Sequence, residues 1–404
     1  MGIFSDRISK EILLFDGSMG ALIGQMGFKT ACPDEMAITN SDVIESIHKA
    51  YIDSGANVIL SDTFGATEMA LSHKGKSGMG NEITKNAVKI ARKAAGENAL
   101  VAVDMGPTSE FMYPVGSYKM KDFYKTFYDQ ALSAKEAGCD FAMIETQTDV
   151  SECRAACLAA KDAGLEAACS FTFSSGRTLT GSTPECCALI LEAAGASAIG
   201  VNCSTGPDQM LPIIKAIRNV TNLPIIVQPN AGLPETRPDG SVYYPFTPEE
   251  MLESMKKIVE AGASAIGGCC GTTPDHIRML SSLSGAPAPE KPKIDTEYVC
   301  SKRVYVPLQY AVNDIEEIDD PEDLYDLDEE TTLALIDLTG LTGEEAEEKT
   351  QECAAISKNP LAFKANSREA LASALKNYPG VAAVIAEDDM QDVIDMYGAK
   401  RIEI

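Results

Sequence analysis

Two adjacent cysteines, Cys269 and Cys270, stand in a glycine frame that runs Gly267-Gly268-Cys269-Cys270-Gly271, and Thr272-Thr273-Pro274-Asp275-His276 opens a helix directly behind them. A disulfide between sequence neighbours closes a strained ring far from the preferred geometry, so each thiol needs another partner. In an intracellular chain that partner is most often a soft metal, and Zn2+ takes thiolates in tetrahedral sites. The pair gives two ligands. A third must be brought by a different part of the chain.

The elements that would bring it are written in the hydropathy. Short apolar runs at Ile12 to Phe15, Asn57 to Leu60, Leu100 to Val103, Phe141 to Ile144, Ala167 to Phe173, Ala198 to Val201, Pro224 to Val227 and Ala263 to Ile266 make eight, each bounded by Gly, Asp or Asn. Such runs read as parallel strands buried on both faces. Amphipathic segments lie between them. Phe123, Phe127, Leu132 and Ala134 fall close to one face of Asp122 to Ala137, and Gly138 ends it. Helices begin at Thr183-Pro184, Thr247-Pro248 and Thr273-Pro274, where Thr can cap and Pro fits the first helical position. Thr247 has Glu250 three residues on, the pattern of a capping box. Eight such units predict an α/β fold, a closed (β/α)8 TIM barrel over roughly residues 8 to 285 within a first domain of residues 1–285.

Active sites of this fold lie where strands end and the following loops begin. The ends here carry Asp16-Gly17, Asp62-Thr63, Asp104-Met105-Gly106, Glu145-Thr146, Phe173-Ser174, Asn202-Cys203, Gln228-Pro229-Asn230 and Cys269-Cys270. Cys203 after the sixth strand then shares one mouth with Cys269 and Cys270 after the eighth, and supplies the third ligand. Three thiolates with an open fourth position describe a catalytic zinc site, since structural zinc normally has four protein ligands. A net charge of about -1 makes a poor Lewis acid and leaves sulfur electron-rich. A substrate thiol in the open position would lose its proton at neutral pH, so thiol activation is the chemistry such a site suits. The side-chain oxygen of Asn230 could hold that position until substrate arrives. The turn Asp16-Gly17-Ser18-Met19-Gly20 leads into a helix with amides that can hold a small carboxylate. Asp16 and Glu145 together could receive an ammonium group. Taken singly, the cysteines would only pack, and the two carboxylates would cap helices or accept hydrogen bonds at the mouth.

With 404 residues, 45% hydrophobic and 23% charged, the chain is an ordinary globular protein with room for one large domain and a smaller one. A formal charge of -26 argues against a nucleic-acid partner, which needs clustered Lys and Arg. Met1 to Glu11 alternates charged and apolar residues unlike a signal peptide, and no stretch approaches the roughly 20 apolar residues of a membrane span, so a cytoplasmic protein is expected. Of the twelve cysteines, Cys139, Cys153, Cys157, Cys169, Cys186 and Cys187 fall in apolar segments and read as buried small hydrophobes, whereas Cys32 and Cys300 stand where they could be exposed.

The segments Leu14-Phe15-Asp16-Gly17-Ser18-Met19-Gly20, Asp104-Met105-Gly106-Pro107-Thr108, Ile144-Glu145-Thr146, Arg177-Thr178-Leu179-Thr180-Gly181, Gly200-Val201-Asn202-Cys203-Ser204, Gln228-Pro229-Asn230-Ala231-Gly232 and Gly267-Gly268-Cys269-Cys270-Gly271-Thr272-Thr273-Pro274 together resemble the zinc-dependent homocysteine S-methyltransferase family. The resemblance covers about residues 10 to 285 and is greatest to the homocysteine-binding barrel of cobalamin-dependent methionine synthases. It implies that Cys203, Cys269 and Cys270 bind zinc and that the zinc binds the homocysteine sulfur. It implies further that Asp16 and Glu145 hold the amino group, that amides around Gly17 to Gly20 hold the carboxylate, and that Asn230 belongs to the metal's surroundings. The reaction implied is attack of the activated thiolate on a methyl group carried by methylcobalamin, betaine or S-methylmethionine, to give methionine.

Two departures qualify the likeness. Ser61-Asp62-Thr63-Phe64 stands where these synthases usually read Thr-Asn-Thr-Phe, which adds Asp62, with Thr63, to the candidate substrate-binding set and points to homocysteine or a close thiol relative as acceptor. None of His48, His73 and His276 sits in a cobalamin-binding motif, so methylcobalamin is expected on a separate corrinoid protein. Betaine is disfavoured because quaternary ammonium groups favour aromatic cages and the chain has no Trp. The competing readings are a methyltransferase using betaine, S-methylmethionine or another small donor, and a non-catalytic zinc- and thiol-binding subunit of a corrinoid methyltransferase system.

After Leu283 the texture changes. Gly285-Ala286-Pro287-Ala288-Pro289-Glu290-Lys291-Pro292 reads as an extended linker, and the acidic run Asp314 to Glu330 as a solvated loop, so residues 286–330 are expected to be linker and acidic segment. Residues 331–404 read as a small C-terminal α/β domain of about four strands, Leu333 to Leu338, Leu361 to Lys364, Val381 to Ala386 and Arg401 to Ile404, with helices at Gly343 to Ser357, Ser367 to Tyr378 and Met390 to Tyr397. Asn366 to Gly380 is faintly similar to part of a pterin-binding barrel. The alternative is a docking or dimerisation module, through which the chain could form an oligomer.

Overall fold

A computed structural model of the chain describes residues 2–403 apart from 239 and 241. Strands β1 (Leu13–Leu14), β2 (Val58–Leu60), β3 (Leu100–Met105), β4 (Phe141–Gln147), β5 (Glu166–Phe171), β6 (Ala198–Asn202), β7 (Ile225–Gln228) and β8 (Ala265–Ile266) pair in parallel in the order β1-β8-β7-β6-β5-β4-β3-β2. The last seam is joined by a parallel bridge between Phe15 and Val58, with the Asp16 N–H donating to the Val58 carbonyl at 3.1 Å. The result is a (β/α)8 barrel, and each strand end falls on the same rim. Its interior is filled by Leu13, Phe15, Val58, Leu100, Phe141, Met143 and Ile226, all buried, so it is a packed core and not a pore.

The floor of the barrel comes from a segment whose alternating pattern announces no helix. Ile3–Ile8 is helical, Phe4 stacks on Phe141 with ring centroids 4.0 Å apart, and the N–H groups of Phe4 and Ser5 donate to the Glu166 carboxylate at 3.1 Å. The outer layer of helices follows the sequence closely. Helix Met120–Ala137 ends at Gly138 with φ of 95°, and buries Phe123, Phe127 and Ala134. Leu132 is exposed instead, because Gln130, Ala131 and Ser133 take the inner face of that turn. Thr183 caps its helix by accepting from the Cys186 N–H at 3.2 Å, Thr247 and Glu250 cap reciprocally, and Thr273 pairs with the His276 ring at 2.9 Å. Cys32 and Cys300, which the sequence left where they could be exposed, are buried, while Cys139 is partly exposed.

The C-terminal parallel sheet has five strands, one more than its apolar runs suggest. β9 (Tyr298–Cys300) and β10 (Tyr305–Pro307) form an antiparallel hairpin. β11 (Ile315–Ile318), β12 (Leu333–Asp337), β13 (Leu361–Lys364), β14 (Ala383–Ile385) and β15 (Lys400–Arg401) then lie side by side in sequence order, all parallel. The acidic stretch expected as a loop thus contributes the edge strand β11. Ile404, at the end of the fourth expected strand, lies outside the described residues. Helices Gly343–Ile356, Arg368–Asn377 and Gln391–Met396 cover one face over Ile336, Phe363 and Val384. The hairpin and Leu308–Ala311 cover the other, over Leu333, Leu335, Ala362 and Ala383.

Arg154 fastens this sheet to the barrel. It projects from helix Val150–Asp162, is 4% exposed, and donates to the carbonyls of Leu375 at 2.7 Å and Lys376 at 2.6 Å, at the C-terminus of Arg368–Asn377. A cation suits that end of a helix dipole. No described helix is long and apolar enough to cross a membrane.

Candidate metal and substrate site

β6 and β8 flank β7, so their ends converge without any long excursion of the chain. Cys203 follows β6 with φ of 57°, and Ser204 repeats that value, a pair of non-glycine residues in the left-handed region. Such strain persists where surroundings enforce it and concentrates at functional sites. Here the Cys203 N–H is held by the Gln228 carbonyl at 3.1 Å. After β8 the Cys269 N–H donates to the Pro229 carbonyl at 2.9 Å, and the Cys270 N–H to Asn230 Oδ1 at 3.1 Å. The sulfurs of Cys203, Cys269 and Cys270 all lie within 4.8 Å of one another, and Cys203 to Cys270 is 3.9 Å.

Those distances suit a metal. Zn–S bonds of about 2.3 Å at tetrahedral angles put sulfurs about 3.8 Å apart, and thiolates are the donors that soft and borderline ions prefer. Cys270 is held well down, to about 3, first through its contact with Cys203 and then with Cys269. Among the described residues no other group of three His, Cys, Asp or Glu side chains is placed to share an ion. The side-chain oxygen of Asn230 stands beside the sulfurs' loop. It accepts from the Cys270 N–H and so fixes the loop that carries two of the sulfurs.

The same loop explains why glycine precedes and follows the cysteines. Gly271 has φ of 78°, and a Cβ there would stand 2.3 Å from the Tyr244 ring. Tyr244 comes from the loop after β7 and its phenol faces Cys270; burial and then the negative charge of Cys270 push its proton affinity up. The end of that loop is tied by His276, whose Nε2 lies 3.0 Å from the Phe246 carbonyl. No sequence pattern marks Tyr244.

A cavity of about 340 Å³ opens beside the sulfurs and is lined by Asp16, Asp34, Asp62, Asp104 and Glu145, with Lys74 as the one cation among its described lining residues. Asp16 accepts from the Leu60 N–H at 3.0 Å, and burial, only partly offset by that bond, raises it well above the carboxylate range. Glu145 is raised to about 7, by burial and then by Cys270, and accepts from Asn202 Nδ2 at 3.2 Å. Asp62 is also raised to about 7, by burial and then by Asp34. Asp104, ringed by Glu145, Asp16, Asp34 and Asp62, is raised well above its usual range, with burial the main cause.

Gly17, Ser18, Met19 and Gly20 line the cavity wall. Gly17 has no room for a side chain, since a Cβ would meet Thr272 Oγ1 at 2.6 Å. The Ser18 N–H is spent on Thr272 at 3.2 Å and the Ser18 hydroxyl on the Ala21 N–H at 3.2 Å. Tyr51, buried below, donates to the Ser18 carbonyl at 3.0 Å and fixes the turn. Thr63 stands apart from the cavity. Its hydroxyl donates to the Asp104 carbonyl at 2.8 Å and tethers β2 to β3. Asp34 and Lys74 were the groups least visible in the sequence, because they arrive from a short 3-10 turn and from the residue after a helix.

The homocysteine S-methyltransferase family model matches residues 13–283. The methionine synthase of Mycobacterium leprae (strain TN) is 28% identical over 298 residues, 69% of this chain and 24% of its own length. That of Mycobacterium tuberculosis (strain ATCC 25618 / H37Rv) is 28% identical over 308 residues, 71% of this chain and 26% of its own. The chain therefore spans about a quarter of the length of these curated relatives. Among solved structures, the homocysteine methyltransferase MmuM from Escherichia coli shares the fold at 23% identity: the oxidized form has a TM-score of 0.58 over 70% of this chain and 98% of that one, the metallated form 0.57 over 67% and 96%. With about two thirds of its residues matched by the family model, the chain belongs to the homocysteine S-methyltransferase family.

Proposed function

We propose that the barrel is a zinc-dependent methyltransferase that methylates the thiol of homocysteine to give methionine. One observation carries the reading: three sulfurs within 4.8 Å of one another stand at one end of a cavity whose wall also presents Asp16 and Glu145. Homocysteine with its thiol seated at the sulfurs would place its amino group, four bonds from the sulfur, toward those carboxylates. Zn2+ held by Cys203, Cys269 and Cys270 would supply thiol activation, since coordination favours the thiolate form. The protein's own part is positional. Asn230 and the Pro229 carbonyl set the Cys269-Cys270 loop, Asn202 orients Glu145, and Leu60 orients Asp16. Asp16 and Glu145 would exchange the ammonium's hydrogen bonds for water's, and its charge would return both toward ordinary carboxylate behaviour. The amides of the Gly17 to Gly20 turn remain the assigned place for the carboxylate, apart from that of Ser18.

Methylcobalamin on a separate corrinoid protein is the donor we assign. Phe64 is the one aromatic ring in the described lining, which makes a poor cage for betaine. Leu179 and Val242, on loops at the same rim, are exposed apolar side chains that suit a macromolecular carrier. We assign catalysis to residues 1–285 and treat residues 331–404, together with the segment before them that supplies β11, as a separate unit. The test is to incubate zinc-loaded protein with homocysteine and, in turn, methylcobalamin, S-methylmethionine and betaine, following methionine. Methionine from methylcobalamin is expected; zinc bound and no methionine from any donor would leave the non-catalytic subunit as the reading.

A further inference from the structure

The loop after β7 leaves the rim at Ala231 and returns to it at Phe246, and hydrogen bonds close both ends onto the segment that carries Cys269 and Cys270. The Ala231 N–H donates to the Cys270 carbonyl at 3.0 Å, and the Phe246 N–H donates to the Ala231 carbonyl at 3.0 Å. The Phe246 carbonyl in turn faces Nε2 of the buried His276 at 3.0 Å. A carbonyl only accepts, so the neutral ring carries its proton on Nε2, and its bare Nδ1 accepts from the Thr273 N–H at 3.2 Å. The bonds make a closed circuit, which starts at Cys270 and returns to its own segment at Thr273. Two glycines let the circuit draw tight. Gly232 has φ of 86°, and a Cβ there would stand 2.6 Å from the Phe246 ring, as one at Gly271 would meet Tyr244. Between its ends the loop runs out as the largely exposed pair Glu235–Thr236 and Val242–Tyr243, so the base of the loop is what seats Tyr244.

We propose that His276 is a positioning residue of the metal site: through Phe246 it seats Tyr244 against the Cys269-Cys270 loop, and so sets how firmly the three sulfurs hold their ion. The proposal rests on the metal reading of the three cysteines and adds to it a residue from outside the ligand set. The backbone carries the effect to the sulfur. Cys270 is pinned at its N–H by Asn230 and at its carbonyl by Ala231, and the second bond belongs to the loop that His276 closes. Groups behind metal ligands orient them, and losing one typically costs about ten- to a hundredfold in metal affinity. The choice of histidine agrees. His276 occupies the third helical position of a capping box with Thr273, where Glu or Gln is usual and a single acceptor is enough. Its second nitrogen is surplus to the cap. An imidazole offers an acceptor and a donor on opposite edges of one rigid ring, which is what Thr273 and Phe246 require.

Cobalt(II) loaded into the full chain in place of zinc tests this, because its thiolate charge-transfer and ligand-field bands report the ligand arrangement itself. Wild type, His276→Ala, His276→Gln, Tyr244→Ala and the double alanine variant are compared by absorption spectrum, by the rate of cobalt release to excess chelator, and by thermal melt. His276→Ala is expected to shift the bands and release cobalt about tenfold faster or more. His276→Gln, whose amide still donates toward Phe246, should fall between it and wild type. Tyr244→Ala should match His276→Ala, and the double variant should be no worse than either, since both act through one element. A residue that only packs would lower the melting temperature and leave the bands alone. Wild-type bands and release rate in His276→Ala would therefore overturn the proposal, and should that variant not fold, the same result in Tyr244→Ala would do so. Single effects that multiply in the double variant would overturn the route through Tyr244. A wild type that takes up no cobalt would sink the metal reading, and the proposal with it, in a way the other outcomes do not resemble.

Discussion

The barrel mouth and the C-terminal sheet are built from the same unit, a parallel strand followed by a helix, yet their strand ends are in opposite electrostatic states. At the mouth Asp16, Asp62, Asp104 and Glu145 are all raised, chiefly by burial. At the end of β12, Asp337 is only partly buried, which works against it, but the Thr339 hydroxyl and N–H and the Lys364 ammonium at 3.0 Å lower it to about 2. One set of carboxylates is held in an unfavourable state by its surroundings, and the other is held in a favourable one by its partners. The first condition is what binding and catalysis require and the second is what folding alone produces. The difference teaches which end of which sheet to probe.

The largest effect is expected at the sulfurs. Cys269→Ala should reduce bound zinc from about one per chain to near none and abolish methyl transfer, because two thiolates leave an incomplete site. Elemental analysis after dialysis against a weak chelator measures it, and zinc retained at the wild-type level would refute the ligand assignment. The C-terminal sheet should be untouched by this substitution, since none of its residues lines the cavity.

The converse experiment is Arg154→Ala. Removing a buried guanidinium leaves the carbonyls of Leu375 and Lys376 without donors and opens space against Tyr397, whose ring centroid is 6.0 Å away. A loss of about 2–4 kcal/mol is expected in the unfolding of the C-terminal part. Zinc content should stay at the wild-type level. Denaturant melts followed by proteolysis of the C-terminal sheet would show whether the two regions separate in this way or unfold as one.

How much of this was visible beforehand follows from what each residue's signal depends on. The eight barrel strands are buried on both faces, so each writes itself as an apolar run, and strand order alone brings Cys203 to Cys269 and Cys270. β11 is an edge strand in which Ile318 is buried while Glu317 is exposed, and its acidic pair disguises it as loop. Helix Ile3–Ile8 buries only Phe4 and Ile8, too few residues for a period to emerge. At the site, residue type could nominate Asn230 and Thr63 but could not say which way they point. Both are consumed by backbone groups of neighbouring strand ends. Asp34 and Lys74 reach the cavity through tertiary placement, which no local spacing encodes.

Asp62→Asn should raise stability. A carboxylate whose folded value, about 7, lies above its usual value near 4 binds its proton more tightly in the folded state. Its contribution is therefore full below about pH 4 and is lost as pH rises through 7. The displacement amounts to at most about 4 kcal/mol, and a gain of roughly 2 kcal/mol at pH 8 is expected for the amide. Urea titrations at pH 5 and pH 8, at equal zinc loading, should show the advantage at the higher pH and little at the lower. An amide variant less stable than wild type at pH 8 would mean that Asp62 has a partner in the folded protein.

The matching substitution in the C-terminal sheet, Asp337→Asn, should act with the opposite sign and the smallest size. Here the folded value, about 2, lies below the usual one, so the carboxylate stabilises the fold above about pH 4 and ceases to do so as pH falls through 2. Its side chain is 32% exposed and that of Lys364 is 47% exposed, so solvent screens the pair. A loss of about 0.5–1 kcal/mol near pH 7 is expected after that discount, divided between the ion pair and the bond from the Thr339 N–H at 2.8 Å. Added salt should remove the part due to Lys364 and leave the part due to Thr339. If Asp62→Asn and Asp337→Asn changed stability in the same direction at pH 8, the contrast between a strained mouth and a satisfied sheet would fail.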